Sequence, residues 1–185
     1  MNMRKCAVIA GWMALPVVLL GQQAPQAAPA GAPANPITLS EKGLYGFMSG
    51  AVVGAAQKMP EENYSFKPTP DVRSFGQIVG HIADAQYLFC SVTLGDTNPA
   101  PGIEKSKTSK ADLVKALGDA LTYCDKAYSA MTDAQAADMV KFFGRDQPKL
   151  AILAFNSAHN MEHYGNLVTY MRIKGLVPPS SEQRK

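Results

Sequence analysis

From about residue 38 onward, apolar residues recur at steps of three and four, which is the period of amphipathic helices. The first such segment begins at Thr38, where Thr38-Leu39-Ser40-Glu41 has the form of a capping box, and ends near Lys58. The second begins after Ser74, with Gln77 in the reciprocal capping position, and is ended by Gly95. Its predicted inward positions are Ile78, His81, Ala85, Leu88 and Val92.

Two further helices follow a loop at residues 96–108. The third begins at Ser109, and the fourth has Pro148 as its first residue, reaches Lys174 and is closed by Gly175. The inward positions of the third are Leu113, Ala116, Leu117, Ala120, Leu121, Cys124, Ala127, Tyr128 and Met131. Residues 132–147 are predicted to hold at most a short helix, and no segment alternates as a strand. The pattern predicts an all-α protein, a four-helix bundle.

Four glycines, Gly43, Gly46, Gly50 and Gly54, lie mostly along one strip of the first predicted helix. Each weakens the helix by roughly 0.5–1 kcal/mol relative to alanine. We therefore expect another helix to approach closely along this strip. A homodimer formed through the same face is a further hypothesis.

The N-terminal residues have the character of a targeting segment. Arg4 and Lys5 precede an uncharged run from Cys6 to Leu20, which is shorter than the roughly 20 residues of a stable membrane span. We predict a signal peptide at residues 1–21, a disordered spacer rich in Ala, Pro and Gln at 22–37, the bundle domain at 38–179 and a tail at 180–185. The expected location is exported, periplasmic or extracellular, with a retained N-terminal anchor as the alternative.

Charge argues against a nucleic-acid partner. The chain has 18 Lys and Arg against 15 Asp and Glu, and loss of Arg4 and Lys5 with the signal leaves 16 against 15, or +1. Nucleic-acid-binding proteins usually carry a clustered basic face, and none is visible. Cys90 and Cys124 remain after processing. They could pair in an oxidising compartment, or remain two buried thiols.

The only histidines of the chain, His81, His159 and His163, supply its strongest chemical signal. Four residues of helix turn by about 400° and rise by about 6 Å, so His159 and His163 project from nearly one face. That face also carries Ile152, Phe155, Leu167 and Tyr170, and the opposite strip carries Ala154, Ala158, Gly165, Thr169 and Arg172.

Buried imidazoles need polar partners, and a shared cation would satisfy all three. We predict that they bind one divalent metal ion. Three nitrogen ligands leave a tetrahedral zinc with an open position for substrate. The alternative is that each histidine is a hydrogen-bonded core or surface residue.

Four further residues are candidates for roles around this site. Asp84, one turn beyond His81, and Glu162, between the ligand pair, are candidate general bases. Asp84 could instead orient His81, and Glu162 could simply be solvated. Asn156 and Tyr170 could line the pocket or only pack.

At these residues the sequence resembles the DinB-like (YfiT-like) superfamily of proposed metalloenzymes. The resemblance rests on the stretch from Met59 to Pro70, the stretch from Ser74 to Gln86 around Gly80-His81, and the stretch from His159 to Pro179. It implies a four-helix bundle that holds a metal, zinc or nickel, through one histidine of the second helix and a His-x3-His pair of the fourth.

The resemblance also implies classes of activity. Members with assigned functions include transferases acting with low-molecular-weight thiols, and isomerases. Since such thiols are abundant in the cytosol, export favours a metal-dependent hydrolase acting on a small-molecule substrate. The alternatives are a metal-dependent thiol transferase, a non-catalytic module that binds metal or ligand, and a metal that only stabilises the bundle.

Overall fold

The structure, a computed structural model, describes residue 31 and residues 33–182, so the predicted signal peptide and most of the spacer lie outside the described residues. The helices are α1 (Pro36–Lys58), α2 (Phe75–Leu94), α3 (Ile103–Ser106), α4 (Lys110–Ala130) and α5 (Lys149–Ile173). Two strands, β1 (Met139–Phe142) and β2 (Arg145–Pro148), precede α5. Within the described part of the chain, no helix is long and apolar enough to span a bilayer.

The four long helices α1, α2, α4 and α5 form the predicted bundle, so α4 and α5 are the third and fourth predicted helices. Helices α1 and α2 each contact both α4 and α5, so α1 and α2 lie diagonally opposite one another. The interior of the bundle is mainly apolar, and burial of these apolar side chains is the main source of stability for such a fold. Fully buried side chains from all four helices include Val52, Phe75, Ile82, Leu117, Leu153 and Leu167.

Several predicted helix ends are confirmed. The Ser74 side chain accepts a hydrogen bond from the Gln77 backbone N–H, and the Gln77 side chain accepts one from the Ser74 backbone N–H. The capping box of α2 is therefore complete. Ser109 caps α4. Gly175 follows α5 with a φ of +72°, the left-handed conformation that favours glycine after a helix.

The start of α1 differs from the prediction. The helix begins at Pro36, and Thr38 is not its cap. Instead, the Asp133 carboxylate accepts hydrogen bonds from the backbone N–H groups of Ile37 and Thr38, and from the Thr38 hydroxyl. The capping-box pattern was therefore misleading, because a residue 95 positions away supplies the acceptor.

The expected close approach along the glycines of α1 is also wrong for most of the strip. Added Cβ atoms at Gly43, Gly46 and Gly50 would meet no atom of the described residues within 4 Å. Gly54 alone is closely approached, by the Pro179 side chain and not by a helix. The neighbouring apolar residues Leu44 and Phe47 are exposed.

Helix α2 is buried around most of its surface, and the predicted inward stripe lies on its more open side. Leu88 and Val92 are only half-buried, whereas Val79, Ile82 and Ala83 are fully buried. Because α2 is apolar on nearly all sides, the sequence pattern could not show which of its faces is most buried. As a result, His81 lies at the edge of the core, where solvent can reach it.

Residues 139–148 form a β-hairpin that the sequence did not predict. Strands β1 and β2 pair antiparallel, with Phe142 opposite Arg145. Phe143 and Gly144 form the turn, and both have positive φ, +46° and +76°, as a two-residue type I′ turn requires. A phenylalanine at positive φ is uncommon and costs about 1–3 kcal/mol.

Cys90 of α2 and Cys124 of α4 are joined by a disulfide, with their Cα atoms 5.2 Å apart. Both side chains are fully buried in the core. The structure thus decides for pairing between the two alternatives that the sequence left open.

Candidate metal centre

The three histidines converge at one side of the bundle. The Nε2 atom of His159 lies 3.2 Å from Nε2 of His81 and 3.0 Å from Nε2 of His163. Helix α2 supplies His81, and one face of α5 supplies the other two rings. Within the described residues, they form the one group of three or more histidine, cysteine or acidic side chains arranged to hold a metal ion.

The arrangement fits a divalent ion. Ligand nitrogens about 2.0–2.1 Å from a tetrahedral zinc lie about 3.3 Å apart, close to the two measured separations. Burial, reinforced by the His163 and His81 rings, lowers the pKa of His159 to about 3. Burial also lowers the pKa of His163, although Glu162 opposes this change. Both rings are therefore neutral at neutral pH, the form that binds metals.

The Nδ1 atoms show how the rings are oriented. His81 Nδ1 lies 3.1 Å from a carboxylate oxygen of Glu104, and His163 Nδ1 lies 3.4 Å from the Asn166 amide nitrogen. A carboxylate on Nδ1 fixes the proton there and leaves Nε2 free as a ligand. His159 Nδ1 is buried and has no hydrogen-bond partner among the described residues.

Glu104 is held in place by Asp84, whose carboxylate binds the backbone N–H groups at the start of α3. One Asp84 oxygen accepts hydrogen bonds from the backbone N–H groups of Gly102 and Ile103, and the other accepts one from Glu104. The loop at residues 96–108 thus contains α3, whose N-terminus Asp84 binds. Both Asp84 oxygens are thereby occupied, and Asp84 also borders a cavity that His81 and His159 line.

Glu104 also contacts the Arg73 side chain and lies close to the backbone of α2. Its second oxygen accepts a hydrogen bond from Nε of Arg73 at 2.9 Å. A Cβ atom at Gly80, next to His81, would lie 2.8 Å from the Cα of Glu104. The absence of a side chain at Gly80 therefore allows α3 to approach His81.

Gly80→Ala is expected to displace α3 and to lower both the thermal stability and the metal affinity, because the added methyl group meets backbone. Gly118→Ala on α4 is the matched control, since its Cβ would meet no atom within 4 Å in the part of the chain that the structure describes. It should gain roughly 0.5–1 kcal/mol from the better helix propensity of alanine. Thermal unfolding and metal titration of both variants measure the difference, and equal behaviour would refute the close contact.

Glu104→Ala is expected to weaken metal binding by about 10- to 100-fold, the usual effect of removing a carboxylate that orients a histidine ligand. Competition with a chromophoric chelator measures the affinity. Glu62→Ala removes an exposed glutamate elsewhere and serves as the control. An unchanged affinity in Glu104→Ala would show that the His81–Glu104 contact has no part in binding.

A buried polar network fixes the register of the two helices that carry the histidines. The Gln86 amide donates to Asn160 at 2.7 Å, and the Asn156 amide donates to Gln86 at 2.9 Å. All three are essentially inaccessible to solvent. Asn156 therefore lies in the core and not in the pocket. This network was not predicted from the sequence, although a glutamine within the apolar helix α2 could have indicated it.

The other two candidates border a polar cavity of about 600 Å³ beside His163. Glu162 is exposed on α5 and lines this cavity. Tyr170 lines it with its ring, and its hydroxyl donates to the backbone oxygen of Arg73 at 2.9 Å. Glu162 is thus a carboxylate close to the histidines, and Tyr170 has a largely structural position.

Comparisons with known proteins agree with the fold and the resemblance. A family model described as the DinB superfamily matches residues 48–167, well over half of the chain. The Bacillus subtilis protein YjoA is 30% identical over 126 residues, which cover 65% of this chain and 79% of YjoA. These matches confirm the resemblance stated above.

Solved structures agree in fold. A DinB-like protein from Bacillus cereus has a TM-score of 0.67 at 22% identity, covering 77% of this chain and 93% of its own. The YjoA crystal structure has a TM-score of 0.64 over 79% of this chain and 99% of its own. A mycothiol-dependent maleylpyruvate isomerase has a TM-score of 0.59 at 12% identity, and this chain covers 60% of it.

Proposed function

The chain belongs to the DinB superfamily, and from this premise we propose that it is an exported metalloprotein that hydrolyses a small-molecule substrate. His81, His159 and His163 would bind one divalent ion, zinc or nickel. The observation that carries the proposal is the convergence of their Nε2 atoms beside a solvent-accessible cavity. The Nε2 atom of His159 lies 3.2 Å from that of His81 and 3.0 Å from that of His163.

A bound divalent ion would supply Lewis acidity and would lower the pKa of a water molecule to around 7. The chain's own residues would orient the ligands and handle the proton. Glu104, 3.1 Å from Nδ1 of His81, would hold the proton on that nitrogen. Glu162 faces the same polar cavity as His163 and would accept a proton from the attacking water.

Hydrolysis is favoured over thiol transfer by the Cys90–Cys124 disulfide. Structural disulfides are typical of oxidising compartments, where low-molecular-weight thiols are scarce. This observation also supports export, and N-terminal sequencing of the protein from the producing cells tests that part. A mature chain that still begins at Met1 would contradict cleavage of the signal peptide.

The thiol-dependent alternative has one supporting observation, the shared fold of the mycothiol-dependent isomerase. Because its identity to this chain is only 12%, the likeness extends to the fold alone.

A panel of small esters and amides, assayed with metal-loaded protein, tests the proposed function. Turnover that a chelator abolishes and that added zinc or nickel restores is expected, with no such turnover in His159→Ala. Activity that instead requires an added thiol would favour the transferase. Metal and ligand binding without turnover would favour a binding module, and a large drop in melting temperature on metal removal without either would indicate a purely structural ion.

A further inference from the structure

Two cavities of opposite character border the histidine cluster. The cavity beside His163 is lined by charged and polar side chains, including Lys67, Arg73 and Glu162. The second cavity has a volume of about 410 Å³, and its wall contains both His81 and His159. We call it the apolar cavity, because its wall is mainly apolar. The wall includes Ala85, Leu88, Phe89, Phe143 and Phe155, and the polar residues Asp84 and Asn98 also border it.

Aromatic rings lead from the hairpin to the histidines. The Phe143 ring lies against Phe142, with centroids 4.1 Å apart, and Phe142 packs edge-on against Phe89 at 5.5 Å. Phe89 in turn contacts the rings of Phe155 at 5.4 Å and His159 at 5.5 Å. The apolar cavity and the metal-ligating face therefore share one continuous surface.

Phe143 is the least expected residue of this surface. It is 74% exposed, and it occupies a turn position with a φ of +46°, where glycine or asparagine is preferred. Phe155 is also exposed, by 51%. A large apolar side chain that is exposed to solvent, on a residue with a strained backbone, contributes little to folding. Such residues cluster at ligand-binding positions.

We propose that the apolar cavity binds a ring-sized apolar group of the substrate, attached directly to the hydrolysable carbonyl group at the histidines. The proposal rests on the proposed function for the position of that carbonyl. It identifies the substrate class as esters or amides of benzoyl-like acids, whose polar leaving group would extend into the cavity beside His163. Phe143 and Phe155 would be specificity-determining residues, since both line the apolar cavity.

A pair of hydroxamates tests the proposal, because both chelate a divalent metal through the same head group and differ only in their substituent. Calorimetric titration of zinc-loaded protein should give benzohydroxamate at least about tenfold tighter binding than acetohydroxamate. Phe143→Asn removes the ring but keeps a residue that tolerates positive φ. It should reduce the preference to about threefold or less.

Phe47→Ala on α1 is the matched control. Phe47 is 59% exposed and lines neither cavity, so its replacement should leave the preference unchanged. Phe155→Ala is a second variant that does not alter the hairpin turn. Equal affinities of the two hydroxamates for the original protein, or a full preference retained in both Phe143→Asn and Phe155→Ala, would overturn the proposal.

A metal-free measurement distinguishes this proposal from the proposed function. Benzyl alcohol carries the ring without a chelating group, and its binding to metal-free protein can be followed by ligand-observed NMR. If neither hydroxamate responds to metal but benzyl alcohol binds the original protein and not Phe143→Asn, the metal-dependent function fails and the apolar site stands. If both hydroxamates bind equally and only to metal-loaded protein, the metal site stands and the apolar site fails.

Discussion

His159→Ala is expected to abolish stoichiometric binding of a divalent metal ion, with a loss of affinity of about 100-fold or more. Removing a residue that only orients a ligand already costs about 10- to 100-fold, and a lost ligand should cost more. His159 is the central member of the cluster, because its Nε2 atom lies within 3.2 Å of both other rings. Elemental analysis and calorimetric titration of purified protein measure the effect.

The same substitution should not unfold the metal-free protein. The His159 Nδ1 atom is buried without a hydrogen-bond partner among the described residues, so alanine removes an unsatisfied polar group. Thr169→Ala, on the exposed side of α5, is the control for a substitution within this helix. Equal metal content in His159→Ala and the original protein would refute the assignment of the site.

The parts of the fold that could be predicted are those determined by local sequence. The α2 capping box and the glycine after α5 require only neighbouring residues, and the His159–His163 pair requires only the pitch of a helix. The apolar positions of α4 were likewise predicted correctly, because this helix has one buried and one solvated side. Helix α2 has no such contrast, so its most buried face could not be identified.

The parts that were missed depend on contacts between distant residues. Glu104 is 23 residues from His81, and its position depends on the three backbone N–H groups that Asp84 binds. The hairpin was missed because β2, with the sequence Arg-Asp-Gln-Pro, has neither β-branched nor aromatic residues. Its turn has phenylalanine where asparagine would have signalled a hairpin.

Replacing both Cys90 and Cys124 by alanine, or reducing their disulfide, is expected to lower the free energy of unfolding by about 3–4 kcal/mol. The disulfide closes a loop between residues 34 positions apart, and the entropy that it removes from the unfolded chain has about this magnitude. The effect is large for a single domain, whose total stability is about 5–15 kcal/mol. Urea unfolding with and without reductant measures it.

The double alanine variant also serves as the control for the reductant. Its unfolding midpoint should not change when reductant is added, whereas that of the original protein should fall. The variant should retain its metal affinity under native conditions, because the histidine-bearing helices α2 and α5 are held together separately, by Gln86, Asn156 and Asn160. A midpoint of the original protein that is insensitive to reductant would show that the two sulfurs are not joined. It would also remove one reason for placing the protein in an oxidising compartment.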